Sequence, residues 1–155
     1  MIPEQTIEAL RMGFGHLGSA SSDLKCAHID TLSTSLEKDK DTITCFVLSS
    51  LSEKVLENFK STGRVSFFVG LPSHEAYQFK GEFISTRSLT DEELSHSEKF
   101  RNNCLEFLSS MGTPAEAAGK IFGNPADLGL TFKVEQIYKQ TPGPEAGKEL
   151  LFNQA

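Results

Sequence analysis

Short segments in which apolar and polar residues alternate recur along the chain, and this pattern is typical of half-buried β-strands. The longest alternating segments are residues 76–86 and 128–139, and shorter ones lie at residues 14–20, 25–30 and 65–71. A sixth segment, Ile43–Leu48, is almost continuously apolar, rich in β-branched and aromatic residues, and too short for a helix. The pattern therefore predicts six strands. In the last one it places Gln136 and Tyr138 on the face of Leu128, and Ile137 on the opposite face.

Helix start and stop signals between these segments predict four helices. Thr90 and Glu93 have the spacing of a capping box, and the helix that they open is expected to end near Met111. Its buried stripe is expected to comprise Phe100, Cys104, Phe107, Leu108 and Met111. The other predicted helices are residues 3–12, residues 53–60, which Gly63 follows, and residues 113–122, with Pro114 in first position. The polar stretch between Ser33 and Asp41 is interpreted as a loop.

Length and composition indicate one domain that spans residues 1–155 and has a core built largely of phenylalanine. The net charge is −6, so the chain lacks the basic balance of a nucleic-acid-binding protein, and we expect no nucleic-acid partner. No apolar run is long enough to cross a bilayer and the N-terminus lacks a signal-peptide profile, so we expect no membrane partner. Three widely spaced cysteines, Cys26, Cys45 and Cys104, are expected to be reduced thiols of a cytoplasmic protein.

The turn after the third predicted strand carries the most informative chemistry. The hydroxyl groups of Ser49, Ser50 and Ser52 precede a predicted helix, and Lys54 lies in the first turn of that helix. Ser50 and Glu53 have the spacing of a capping box. Hydroxyls, unpaired N–H groups and an ammonium at one helix start form a suitable site for an anion, most often a phosphate. The simpler interpretation, in which Ser50 only caps the helix and Lys54 is a solvated charge, stays open.

The same turn resembles a segment of the pyridoxamine 5′-phosphate oxidase-like flavoproteins, which are FMN-binding split β-barrels. The similar residues are Ser52-Glu53-Lys54, then Leu56 and Asn58, and then Gly63-Arg64-Val65 on the next strand. The pattern Phe79-Lys80-Gly81-Glu82-Phe83 is similar to a strand of this family in which a glycine allows tight barrel closure. The final segment, Thr141-Pro142-Gly143-Pro144-Glu145-Ala146-Gly147, resembles the tail of small members of the group.

The resemblance implies a mainly β fold, a six-stranded antiparallel split barrel with a few peripheral helices. It implies FMN as the cofactor, a homodimer with the flavin at its interface, and a flavin-dependent oxidoreductase that acts on an unknown small molecule. It names no catalytic residue. The implied cofactor-binding residues are Ser49, Ser50, Ser52 and Lys54 at the phosphate, and His28 and Asp30 on the strand that faces the flavin ring.

Two departures from the family pattern keep a second function open. The first hairpin turn, Ser22-Asp23-Leu24-Lys25, lacks the glycine and proline of the family turn, and His28 stands where an arginine is common. A neutral imidazole is a weaker partner for an anion than a guanidinium. The alternative is a non-enzymatic binding module of the same barrel, for haem or another planar ligand, or without a ligand. The histidines lack the paired spacing of structural zinc sites, so no metal site is predicted.

Overall fold

The computed structural model describes residues 1–150 and contains a seven-stranded sheet in which every paired neighbour is antiparallel. The strands are β1 (Phe14–Ala20), β2 (Cys26–Thr31), β3 (Thr34–Leu36), β4 (Thr42–Val47), β5 (Arg64–Gly70), β6 (Ala76–Arg87) and β7 (Leu128–Lys139). Their spatial order is β2-β1-β5-β6-β7-β4-β3. The prediction of a mainly β, antiparallel fold is confirmed.

The sheet curls until elements from its two ends meet, which makes it a split barrel. Just beyond β2, the N–H of Leu32 donates to the carbonyl of Phe46 in β4 at 2.7 Å. The N–H of Phe46 in turn donates to the carbonyl of Ser33 at 3.0 Å. Because β2 and β4 lie near opposite ends of the strand order, these two bonds close the curl on one side.

Strand β3 corrects the sequence-based prediction, which has six strands and a loop in this region. Residues Thr34–Leu36 pair antiparallel with β4. The hydroxyl of Thr34 donates to the carbonyl of Leu10 at 2.6 Å, and the hydroxyl of Ser35 donates to Glu93 at 2.8 Å. Polar residues can form this strand because tertiary contacts satisfy their hydroxyls. Because these contacts are to residues distant in the sequence, they produce no local alternation of apolar and polar residues, and the strand was not predicted.

Four α-helices occur within residues 1–150: α1 (Ile7–Met12), α2 (Glu53–Thr62), α3 (Asp91–Ser110) and α4 (Ala115–Phe122). The capping box of α3 is confirmed, since Thr90 Oγ1 accepts from the N–H of Glu93 and the Glu93 carboxylate accepts from the N–H of Thr90. Gly63 ends α2 with a φ of 69°, as predicted for a C-terminal glycine. Pro114 occupies the N-cap position of α4, one residue before the predicted place. None of these helices is long and apolar enough to cross a bilayer.

Phenylalanine fills the inner face of the sheet, as the composition suggested. Phe67, Phe79 and Phe132 are fully buried there. A second apolar cluster joins the sheet to α3 and α4 and contains Leu32, Phe46, Phe100, Cys104, Phe122 and Ala126. The predicted stripe of α3 is therefore correct at Phe100 and Cys104. It is correct in part at Leu108, which is partly buried against this cluster. It is wrong at Phe107 and Met111, which are 39% and 70% exposed, and Met111 lies just beyond the end of the helix.

A β-bulge reverses the faces of β7. Glu135 is inserted between the residues that oppose Lys80 and Gly81 of β6. Beyond this residue Ile137 is fully buried and Gln136 is exposed, whereas the sequence alternation predicts the reverse. One extra residue exchanges the two faces of a strand, so the predicted alternation holds up to the bulge and is wrong after it.

Residues 140–150 fold back onto the sheet. The N–H of Gln140 donates to the carbonyl of Ala76, and the N–H of Lys139 donates to the carbonyl of Lys148. The N–H of Leu150 donates to the carbonyl of Ile137 at 2.8 Å. A proline- and glycine-rich end is often disordered, but this one supplies backbone hydrogen bonds to the end of β7.

Candidate functional site

The start of α2, where the sequence predicts a phosphate site, is capped differently from the prediction. Ser52 holds the N-cap position and its side chain makes no capping hydrogen bond. Ser50 lies in the preceding 3-10 turn, so the predicted capping box of Ser50 and Glu53 is wrong. The buried hydroxyl of Ser52 instead donates to the carbonyl of Leu48 at 2.7 Å. This hydroxyl is therefore already hydrogen-bonded to the backbone just after β4.

Ser49 binds a carboxylate of its own chain. Its N–H donates to Asp127 Oδ1 at 2.7 Å and its Oγ donates to Asp127 Oδ2 at 2.5 Å. Asp127 directly precedes β7, and 78 positions separate the two residues. The backbone and hydroxyl donors of this turn thus have a geometry that binds an oxyanion. An external phosphate would compete with Asp127 for them.

Ser50 and Lys54 are exposed at the same helix start. The ammonium of Lys54 lies 2.7 Å from the carboxylate of Glu57. This hydrogen bond and the charge of Glu57 raise the pKa of Lys54 above its usual value, so the side chain is charged at neutral pH. Because the Lys54 side chain is 70% exposed, the ion pair contributes little and an incoming anion can replace it.

His28 and Asp30 lie on the outward face of β2, next to two residues that no sequence pattern singles out. Asp30 Oδ1 is 2.7 Å from Nδ1 of His16 on β1. The His16 ring is 6.5 Å from the ring of His28, and it stacks on the ring of Phe68 of β5 at 6.3 Å. His16 and Phe68 were missed because only the strand register brings them beside β2.

Asp30 also borders the start of α2. A cavity of about 40 Å³ lies between β2 and this turn, and its walls include Ile29, Asp30, Leu48, Leu51 and Lys120. Leu48 and Leu51 flank Ser49 and Ser50 in the sequence. The two halves of the predicted site, one on β2 and one at the helix start, are therefore neighbours in the fold.

A larger groove of about 550 Å³ crosses the outer face of the sheet beside His28. It follows one row of residues over five strands: His28, Gly18, Ser66, Lys80 and Gln136. Because Gly18 has no side chain, the row is open between His28 and Ser66. Of this row only His28 could be predicted from the sequence, since strand order and register assemble the rest.

Two cations border the groove. Lys80 Nζ lies 4.8 Å from the centre of the Tyr138 ring, and Arg64 pairs with Glu135 at 3.1 Å. A broad groove with an open floor, a few hydrogen-bonding groups and positive charge at its rim suits a planar ligand with polar or negatively charged substituents.

Comparisons of the sequence with protein families and with curated proteins returned no match. Solved structures do match. An FMN-binding protein from Syntrophomonas wolfei subsp. wolfei superposes with a TM-score of 0.53 at 17% identity, over 87% of this chain and 86% of that one. A provisionally assigned pyridoxamine 5′-phosphate oxidase from Lactobacillus delbrueckii gives 0.54 at 12% identity, over 88% and 93%. The fold is the split barrel of the pyridoxamine 5′-phosphate oxidase-like proteins.

The same split barrel is found in HupZ of group A Streptococcus, with a TM-score of 0.58 at 12% identity over 95% of this chain and all of that one. The fold that the sequence resemblance implied is thereby confirmed. At these identities the likeness concerns the fold, and the ligand has to be inferred from the side chains of this chain. Within residues 1–150, no three histidine, cysteine, aspartate or glutamate side chains are grouped so that they could hold a metal ion.

Proposed function

We propose that this split barrel binds a flavin nucleotide, with FMN as the expected form. The flavin ring lies against the outer face of the sheet beside His28, and the phosphate lies at the start of α2. The main support is the groove of about 550 Å³ that adjoins β2, in a fold that an FMN-binding protein shares. Bound flavin would supply redox chemistry toward a small-molecule substrate.

The residues at the helix start fit a phosphate. Ser49 already donates two hydrogen bonds to a carboxylate, so the same donors suit a phosphate oxygen. Ser50 and Lys54 are exposed beside them. Ser52 is a poorer candidate because its hydroxyl is buried and bonded to Leu48. Asp30 would contact the ligand where β2 meets the turn.

A homodimer belongs to the same proposal, with the partner subunit covering the exposed ring of Phe68.

The absorption spectrum of the purified protein, followed by titration with FMN, tests the proposal. Yellow protein with flavin bands, or saturable FMN binding by colourless protein, is the expected result. A Soret band would support the alternative function, in which the barrel binds haem. Colourless protein that binds neither FMN nor riboflavin would contradict the flavin proposal.

Replacing Lys54 with alanine is expected to weaken FMN binding about tenfold, which is the lower end of the range for one charge-assisted contact. Riboflavin, which has no phosphate, should bind equally to both proteins. Titration by flavin fluorescence gives both affinities. Lys60→Ala is the matched control, because Lys60 is an exposed lysine of the same helix, near its C-terminal end. Equal FMN affinity in wild type and Lys54→Ala would eliminate the phosphate site at this turn.

Replacing Asp127 with asparagine is expected to raise FMN affinity by about three- to tenfold, because a negative charge beside the phosphate is removed. Asparagine can still accept a hydrogen bond from the N–H of Ser49, so the turn should keep its shape. Riboflavin affinity should not change. Glu106→Gln, an exposed charge change on α3, is the control. A fall in FMN affinity in Asp127→Asn would mean that Asp127 orders the site and does not compete for it.

A further inference from the structure

A second cavity, of about 600 Å³, lies on another part of the barrel, between α1, β3 and the first turns of α3. Its apolar wall is formed by Ile7, Leu10, Leu36 and Phe46. Its lining shares no residue with the groove beside His28 or with the cavity at the start of α2. Its volume lies within the range of small-molecule sites, roughly 300–1,000 Å³. It is therefore large enough for a ligand of its own.

A strained serine fixes one wall of this cavity. Ser33 has a φ of 95°, which is rare for a residue with a side chain, and it is 1% exposed. Its Oγ lies 2.9 Å from Nε2 of His96 and 3.3 Å from the carbonyl of Arg11. These contacts connect the end of α1 with the start of β3 and with α3. They hold the imidazole of His96 at the cavity wall in one orientation.

Of the three carboxylates that line the cavity, those of Glu37 and Glu93 are already bound by Arg87. Arg87 binds Glu93 through both of its terminal nitrogens and binds Glu37 through one of them. Glu37 accepts a further hydrogen bond from Thr44, and Glu93 accepts further bonds from Ser35 and from the N–H of Thr90. These oxygen atoms are therefore poor partners for a cationic ligand.

The lining and Arg87 together carry three carboxylates and three cations, so their charges balance, and what distinguishes the cations of the lining is that they are unpaired in the described part of the chain. Arg11 and Lys38 line the cavity and form no ion pair within residues 1–150. Glu92 is the carboxylate of the lining that Arg87 does not bind. Glu37 and Glu93 are bound by Arg87, whereas Arg11 and Lys38 are in no ion pair of the described residues, so these two cations are the groups that an incoming carboxylate can bind. The His96 ring adds a hydrogen-bonding group.

We propose that this cavity is a second binding site, for a small amphiphilic anion whose carboxylate is bound by Arg11 and Lys38 and whose apolar body packs on Ile7, Leu10 and Leu36. The site is independent of the flavin proposal, because it is built from other residues. Its selectivity comes from charge. A neutral or cationic molecule of the same shape fills the apolar part but leaves Arg11 and Lys38 unpaired.

Phenylacetate, 2-phenylethanol and 2-phenylethylamine provide a nearly isosteric test series with negative, zero and positive charge. We expect phenylacetate to bind at least about tenfold more tightly than the other two, as is typical of one charge-assisted contact. Amide chemical-shift changes in the NMR spectrum should fall on residues 7–11, 34–38 and 90–96. Arg11→Gln should weaken phenylacetate by about tenfold and Arg11→Lys by less, while the melting temperature stays unchanged because Arg11 is exposed.

Lys60→Gln is the control for the loss of a surface charge, and it should bind phenylacetate as the wild type does. Equal binding of the three probes, or equal phenylacetate affinity in wild type and Arg11→Gln, would overturn the proposal. Shift changes confined to the groove beside His28, or displacement of phenylacetate by FMN, would assign the anion to the flavin site and overturn it as well. Failure of FMN to bind would leave these expectations unchanged, so the two proposals can fail separately.

Discussion

Replacing Gly81 with alanine is expected to lower the free energy of unfolding by about 3 kcal/mol, the upper end of the usual cost of overpacking. A Cβ atom on Gly81 would lie 1.9 Å from the backbone carbonyl oxygen of Lys133 and 3.2 Å from the Cα of Val134. Both are main-chain atoms of β7, so no side-chain rotation can relieve the clash. The strands would have to move apart next to the bulge at Glu135.

Thermal or urea unfolding measures this effect. For a protein of this size, a loss of about 3 kcal/mol lowers the melting temperature by about 6–12 °C. Gly18→Ala is the matched control, since a Cβ there would meet its nearest neighbour, the carbonyl oxygen of Ser66, at 3.4 Å. We expect Gly18→Ala to leave stability nearly unchanged. If both variants unfolded at the same temperature, close strand approach at Gly81 would not be required for the fold.

Replacing Glu93 with glutamine is expected to lower the free energy of unfolding at pH 7 by about 2–3 kcal/mol. The carboxylate of Glu93 binds Arg87 and Ser35 and caps α3 through the N–H of Thr90. The hydrogen bonds from Arg87 contribute most to lowering the pKa of Glu93 from 4.5 to about 2. The Glu93 side chain is 13% exposed, so solvent screens this interaction only partly.

The same pKa shift predicts how stability depends on pH. The pKa of Glu93 is lower in the folded protein than in the unfolded chain, so the carboxylate stabilises the fold fully above about pH 4.5. That stabilisation is lost as the pH falls from about 4.5 towards 2, and a shift of this size corresponds to about 3 kcal/mol. The stability of Glu93→Gln should change less than that of the wild type over this interval.

Urea unfolding at a series of pH values between 2.5 and 7 tests this expectation. Glu92→Gln is the control. Glu92 lies in the same helical turn, but its carboxylate neither caps α3 nor binds Arg87. Its pH profile should follow that of the wild type. Parallel profiles for wild type and Glu93→Gln would mean that the Arg87 pair contributes nothing to folding stability.

Local signals in the sequence determined most of the secondary structure. Alternation placed β1, β2, β5 and β6, and the spacing of Thr90 and Glu93 placed the start of α3, because these patterns depend on neighbours a few residues apart. The resemblance at Ser52 to Lys54 and at Gly81 then led to the split barrel. The site that the resemblance implied could be predicted only in part. A motif identifies candidate residues, but it does not show that Ser49 and Ser52 are already hydrogen-bonded within the chain.

Tertiary structure decided the features that depend on distant residues. A bulge at Glu135 exchanged the buried and exposed faces of the last strand beyond it. Asp127, 78 positions away in the sequence, accepts the hydrogen bonds that Ser49 donates. The groove beside His28 and the cavity at Arg11 likewise depend on strand order and on the docking of α3. Local composition fixes which face of a segment can be buried. Which atoms then meet depends on contacts between segments far apart in the chain, which no local pattern encodes.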